Sequence, residues 1–209
     1  MYRPRPFVVD DVAALHRFIR ARTFATLAGI FDGAVQFAYA PMVLDQNDGE
    51  FGSLRFHLAR ANPLAALANG TRLRVSFTGP DAYVSPDWYE SAAMVPTWNY
   101  IAVEGEGTVH RLETDGLRQL LIDLSAAEEE KLLPKKPWTV DKVPEQRMSG
   151  LLNAIVGFTL RLGRLEGKFK LSQDKSAPDI DGVLRGLDAR GDAQSLAVAR
   201  AMRGTRAGS

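Results

Sequence analysis

The chain of 209 residues has no cysteine, which excludes a disulfide framework, a thiolate zinc site, an iron–sulfur cluster and a cysteine nucleophile. It has three histidines, His16, His57 and His110, and none stands at metal-ligand spacing from another, so no metal site is predicted. Charge of one sign is also lacking. Twenty-six basic against 25 acidic residues leave +1, too little for a global field toward nucleic acid or membrane. No apolar run approaches the roughly 20 residues of a membrane-spanning helix. Met1 is followed by a basic Tyr-Arg-Pro-Arg-Pro stretch with no signal-type apolar segment behind it. A Gly-x-Ser-x-Gly nucleophile elbow is missing. Gly105 and Gly107 sit inside a predicted strand, not at a strand-to-helix turn, so they are no dinucleotide fingerprint. No residue is named as catalytic. The remaining composition, 45% apolar and 24% charged, predicts a soluble, cytoplasmic, single-core protein that does not enter a membrane.

What is present reads as strands separated by turn signals. Val12, Leu15, Phe18 and Ile19 have helical spacing behind Asp10-Asp11, and His16 and His110 are expected at the surface. Phe24–Ile30 leads into Asp32-Gly33, a hairpin signal, and Val35–Leu44 and Glu50–Leu58 continue the meander. Asn62-Pro63 predicts the start of a short helix over residues 64–69. Arg72–Thr78 is a strand ended by a turn at Gly79-Pro80-Asp81, and Ile101–Leu112 is another strand. Helices are expected over 114–131 and 144–152, two closing strands over 155–162 and 165–171, and two terminal helices over 180–187 and 193–202. The fold class expected is mainly β with helices, a β-barrel with helical decoration. The division expected is a barrel domain over 1–172 and a helical extension over 173–209, packed on the barrel or on a partner.

Three stretches can carry chemistry. Arg55-Phe56-His57-Leu58-Ala59-Arg60 leads into Asn62-Pro63, where backbone N–H groups and the Arg55, His57 and Arg60 side chains can meet a phosphate. Alternation places Arg55 and His57 on one face of the strand. The plainer alternative is that the arginines only solvate it. In Val95-Pro-Thr-Trp-Asn-Tyr100, Trp98 can stack on a planar ligand and Asn99 can bond its edge, or the loop plugs the barrel end. In Gly167-Lys-Phe-Lys-Leu-Ser-Gln173, Lys168 and Lys170 share a face and can clamp a phosphate, meet a dimer partner or face water.

These blocks, in this order, carry a family resemblance. His57-Leu-Ala-Arg-Ala-Asn-Pro63, Gly79-Pro-Asp-Ala-Tyr-Val-Ser-Pro86 with Trp88-Tyr89, Val95–Tyr100, Ala154-Ile-Val-Gly-Phe158 and Gly167–Gln173 resemble the PaiB-type, FMN-binding negative transcriptional regulators of bacteria. That family lies in the FMN-binding split-barrel superfamily. The resemblance implies a split β-barrel with flanking and C-terminal helices, a homodimer, and FMN as cofactor near the subunit interface. It implies a phosphate site at Arg55, Phe56, His57 and Arg60. Trp98, Asn99, Lys168, Lys170 and Gln173 are implied on the ring or ribityl side, from the same or the other subunit. Two stretches depart from the family pattern. Phe37-Ala-Tyr-Ala-Pro41 stands where many members have a Thr-His pair, and Glu104-Gly-Glu-Gly107 replaces a segment that often holds His. The function implied is a flavin-dependent oxidoreductase or flavin-responsive sensor. The alternative is a non-enzymatic regulator that binds DNA or a protein partner, its flavin pocket empty or adapted to another planar ligand such as haem. The residues themselves show no DNA-reading helix, and from Arg161 onward ten basic residues face six acidic ones.

Overall fold

Local sequence explains most elements of the computed structural model, which describes residues 1–207. Gly208 and Ser209, the last residues of the expected extension, lie outside the described residues. After the short strand β1 (Val8–Val9), helix α1 (Val12–Ala21) forms and buries Leu15, His16 and Ile19 along one face. His16 is therefore buried, not at the surface as expected. Its Nε2 donates to the Phe51 carbonyl at 2.9 Å, and a satisfied ring carries little burial penalty. His110 is exposed, as expected. Strands β2 (Phe24–Phe31) and β3 (Ala34–Pro41) form the predicted hairpin. Asp32 and Gly33 both have positive φ, 49° and 72°, as a two-residue hairpin turn requires.

The chain continues through β4 (Val43–Asp45), β5 (Ser53–Ala59), β6 (Arg72–Val84) and β7 (Thr97–Arg111). Helices α2 (Thr114–Glu130) and α3 (Glu145–Asn153), strand β8 (Ile155–Lys170), and helices α4 (Ala177–Arg190) and α5 (Ala193–Ala207) complete it. The sheet has eight strands in the order β3-β2-β6-β7-β8-β5-β4, with β1 antiparallel to β8 at Val8↔Lys168. Strand β3 returns against β5, so the sheet curls back on itself. This is the expected mainly-β class with helices.

Beyond His16, and beyond Thr97–Tyr100, which opens β7 where a loop is expected, three expectations change. The predicted turn at Gly79-Pro80-Asp81 is absent, and β6 runs straight through it. The two predicted closing strands are one, β8. Both differences have one cause. In β6 the buried residues are Leu73, Val75 and Phe77, then Pro80, Ala82 and Val84. In β8 they are Val156, Phe158, Leu160 and Leu162, with Gly157 buried beside them, then Leu165 and Gly167. The alternation changes phase at Thr78-Gly79 and at Gly163-Arg164, the signature of one extra residue in a bulged strand, and a bulge also tolerates Pro80's missing N–H. The third change is at Asn62-Pro63. The helix there is one 3-10 turn, Pro63–Ala66, whose first free N–H, at Leu64, is met by Asn62 Oδ1 at 2.9 Å.

Contacts group the chain into two units. One comprises residues 12–77 and 104–165, the other residues 1–11, 78–103 and 166 onward, and β6, β7 and β8 contribute to both. In the former, Leu15, Leu27, Leu54, Phe56, Phe77, Phe158 and Leu160 are buried, with the Phe56 and Phe158 rings stacked at 5.5 Å. Helices α2 and α3 bury Leu117, Leu120, Leu124, Met148 and Leu152 together. In the latter, α4 packs on α5, and Trp88 lies on a glycine slot of α4. A Cβ at Gly182 would stand 1.9 Å from the Trp88 carbonyl oxygen, and one at Gly186 would stand 2.2 Å from the indole.

Gly150 of α3 has nothing within 4 Å of its would-be Cβ, which gives a matched control. Gly150→Ala is expected to raise stability by roughly 0.5–1 kcal/mol, because alanine restricts the unfolded chain in a position the helix accepts. Gly182→Ala is expected to lower it by about 1–3 kcal/mol through overpacking against Trp88. Urea unfolding of the two variants checks the pair of signs.

Candidate functional site

The first candidate lies on β5 and the turn after it. Arg55 and His57 point to the same side of the strand, as alternation predicts, and Phe56 points to the other, into the core. Arg55 is held on two carboxylates. Its Nε donates to Asp45 Oδ2 at 2.6 Å, and its Nη2 to Asp45 Oδ1 at 3.0 Å and Asp123 Oδ2 at 2.8 Å. The Asp45 hydrogen bond is the main reason that its pKa rises above the ordinary value. Two acids around one guanidinium leave this spot without excess positive charge.

Arg60 differs. It is exposed, and its Nε and Nη2 donate to the carbonyl oxygens of Asn153 (2.7 Å) and Ile155 (3.0 Å). Those partners are neutral, so the fixed guanidinium keeps its charge and turns Nη1 free, with no carboxylate on it among the described residues. His57 stands between the two. Burial lowers its pKa, which keeps the imidazole neutral at pH 7, and its Nδ1 is buried without a hydrogen-bond partner among the described residues. Such an orphan is uncommon in native proteins and marks a place where another group belongs.

The other expected residues fall in the second unit. Trp98 is about half exposed, with its ring edge-on to Tyr83 at 6.2 Å. Asn99 is buried: Nδ2 donates to Ser172 Oγ at 2.9 Å, and Ser172 Oγ donates back to Oδ1 at 3.3 Å. The Lys168 ammonium lies between the Tyr2 and Tyr100 rings, 5.4 and 5.3 Å from their centroids. Lys170 Nζ donates to Thr97 Oγ1 at 2.5 Å and to the Trp98 carbonyl at 2.7 Å. Gln173 closes its own turn, accepting from Leu171 N at 2.7 Å and donating to the Phe169 carbonyl at 2.5 Å. The structure thus brings Asn99 and Lys170 to one place, and Trp98, Lys168 and Gln173 to separate surroundings.

That place is a cavity of about 260 Å³ lined by Phe7, Tyr89, Met94, Asn99, Lys170 and Lys175, among others. Sequence reasoning missed most of this wall. The signal for it was the run Ser172-Gln-Asp-Lys175, polar residues clustered directly after a strand. Burial lowers the pKa of Lys170 and raises that of Tyr89, whose hydroxyl is hydrogen-bonded to Ser172. Two wall residues, Ala93 and Ser172, have left-handed backbones at φ 60° and 66° without being glycine. Strain of that kind persists only where the surroundings over-determine it, and it gathers at functional sites.

The surroundings that do so centre on Asp179. Its buried carboxylate accepts from Glu90 N and Ser91 N at 2.9 Å each, and from Ser91 Oγ and Ser176 Oγ at 2.7 Å each. The Ser85–Pro96 loop is thereby tied to α4, and Trp88 in the glycine slot ties it again.

The fold these elements make is a split β-barrel with flanking and C-terminal helices. Comparison with known proteins places it more narrowly. Residues 1–164 match the family described as "Putative FMN-binding domain". The protease synthase and sporulation protein PAI 2 of Bacillus subtilis is 30% identical over 189 residues, covering 90% of this chain and 89% of that one. Among solved structures, the FAD and heme binding protein from Mycobacterium smegmatis has a TM-score of 0.57 at 20% identity, over 83% of this chain and 78% of its own. The flavocytochrome Anf3 from Azotobacter vinelandii has a TM-score of 0.55 at 14% identity, over 85% of this chain and 73% of its own. The chain belongs to the PaiB-type FMN-binding family.

The Asp179 anchor predicts an acid response. Hydrogen bonds, led by that from Ser91 N–H, hold its pKa down to about 2. A carboxylate depressed in the folded state stabilises it fully above its unfolded pKa of about 4, and that contribution disappears as pH falls from about 4 to 2. Asp179→Asn is therefore expected to melt below the wild type at pH 7 and to converge with it near pH 2. Thermal melts across that range check the convergence.

Proposed function

We propose that this protein binds FMN and works as a flavin-dependent oxidoreductase or flavin-responsive sensor. The observation that carries this reading is Arg60, a guanidinium fixed by two neutral carbonyls with its charge left unbalanced. An immobilised arginine with free N–H groups suits a phosphate, and it loses little side-chain freedom on binding one. The orphaned Nδ1 of His57 supports the same corner, since a neutral imidazole there has a hydrogen bond still to make. The residues present therefore fit the phosphate end of FMN. Arg55 is assigned a supporting role, because its donors already hold Asp45 and Asp123. When bound, the flavin supplies hydride and single-electron transfer, and the chain supplies its position and its electrostatic surroundings.

The homodimer is proposed on the hairpin. The outer side of β2 and β3 exposes Phe24, Ile30, Val35, Phe37 and Tyr39, each between 61 and 66% accessible, in a register that pairs Ile30 with Val35. A contiguous apolar face of this kind marks an interaction surface. Phe37 and Tyr39 lie in the stretch that departs from the family's Thr-His pattern. A DNA-binding role finds less support. Arg203 faces Asp188, Arg206 faces Asp181, Arg185 faces Glu90 and Arg190 faces Asp192, so the terminal helices do not present a bare basic surface there.

Arg60→Ala is expected to weaken FMN at least about tenfold and to leave riboflavin, which has no phosphate, unchanged. Titrations followed by flavin fluorescence check this. Unchanged FMN affinity would remove the phosphate assignment, and failure of the wild type to retain FMN after desalting would remove the flavin reading. Phe37→Asp is expected to shift the protein to a monomer in sedimentation velocity. A wild-type monomer at tens of micromolar would sink the dimer.

A further inference from the structure

We propose that the cavity behind the Ser85–Pro96 loop is a second binding site, for a small organic monoanion: a carboxylate on a compact apolar body. The proposal stands apart from the flavin reading and holds whether or not FMN binds. The chemistry of the wall points to that class. Phe7, Ala93, Met94 and Val95 supply an apolar lining. Lys175 is paired with Asp174 at 3.0 Å, so those two charges cancel locally. Lys170 is different. Two of its three N–H bonds go to neutral oxygens, those of Thr97 and Trp98, and no carboxylate hydrogen-bonds it among the described residues. The Phe7 ring, its centroid 5.9 Å from Nζ, makes a weak cation–π contact, and one ammonium N–H and one net positive charge are left at an apolar cavity, which a monoanion satisfies and a neutral molecule does not. Tyr89, protonated at neutral pH, lines the same space and adds a hydroxyl.

Size and rigidity narrow the ligand. At about 260 Å³ the cavity is below the roughly 300–1,000 Å³ typical for drug-sized ligands, which favours a small acid. Its shape is fixed in advance. The loop is tied down by three hydrogen bonds to Asp179 and by Trp88 on Gly182 and Gly186. Ser172 is locked by Asn99 in a left-handed conformation. A wall held in strain by this many contacts loses little entropy when it takes a ligand.

The test uses the full chain and sodium benzoate as probe, titrated by calorimetry at constant ionic strength. Saturable binding of one benzoate per chain is expected, with benzamide, its neutral counterpart, and inorganic phosphate each at least about tenfold weaker. Lys170→Met is expected to lose at least about tenfold in benzoate affinity. Met94→Trp, which fills the cavity from its rim, is expected to abolish binding while the circular dichroism spectrum stays that of the wild type. Equal affinity for benzamide, or full benzoate affinity in either variant, would overturn the proposal. So would competitive displacement of benzoate by FMN, because the cavity would then be part of the flavin site. A protein that binds benzoate and no FMN would keep this site and lose only the flavin reading.

Discussion

A buried carboxylate with no cation paired to it among the described residues holds much of this molecule's functional architecture in place. Asp179 sits in the first turn of α4, where the free N–H groups and the positive end of the helix already favour an anion. Two hydroxyls and two loop amides complete its shell. Nothing in this arrangement needs a salt bridge, and dipoles that are fixed by the backbone do the solvating that water would do outside. The loop that runs from Ser85 to Pro96 has no regular structure beyond one 3-10 turn, so its shape depends on such anchors. With them, it forms a wall.

The two arginines of the β5 corner show how little residue type decides by itself. Arg55 and Arg60 are five positions apart and stand in the same motif. One is neutralised by Asp45 and Asp123, the other is braced by peptide carbonyls and left charged. The first arrangement stores electrostatic complementarity inside the protein, and the second leaves it open to a ligand. Which is which follows from the β4–β5 pairing that sets Asp45 beside Arg55, and from two contacts far along the chain: Asp123 of α2, 68 positions from Arg55, and the carbonyls of Asn153 and Ile155, 93 and 95 positions from Arg60.

That contrast also explains what was legible in the sequence. Elements fixed by near neighbours were readable: the α1 face, the Asp32-Gly33 hairpin, the α2 stripe of leucines and the terminal helices. Arg55 and His57 were correctly put on one side of β5, but alternation says nothing about what covers that side. Gly79-Pro80-Asp81 read as a turn because turn composition and a bulge in a long strand use the same residues. His16 read as a surface residue because its partner, the Phe51 carbonyl, is 35 positions away. The Asp179 shell reaches across 88 and 89 positions to Ser91 and Glu90, and no local pattern announces it. Lys168 and Lys170 looked alike, two positions apart on a strand, yet one is caged by tyrosine rings and the other is turned to a cavity.

The change of phase in β6 and β8 has an evolutionary side. Each strand is two alternating half-strands joined by a single supernumerary residue, so the halves follow opposite parity rules for which positions must be apolar. A one-residue deletion at Arg161, inside a half-strand, would look conservative in length and composition. It would nonetheless move Leu162 into the outward place of Arg161 and turn it toward solvent. Homologous chains should therefore tolerate substitutions throughout these strands far more readily than a change in their length, and the glycine-containing junctions act as reading-frame markers for the sheet.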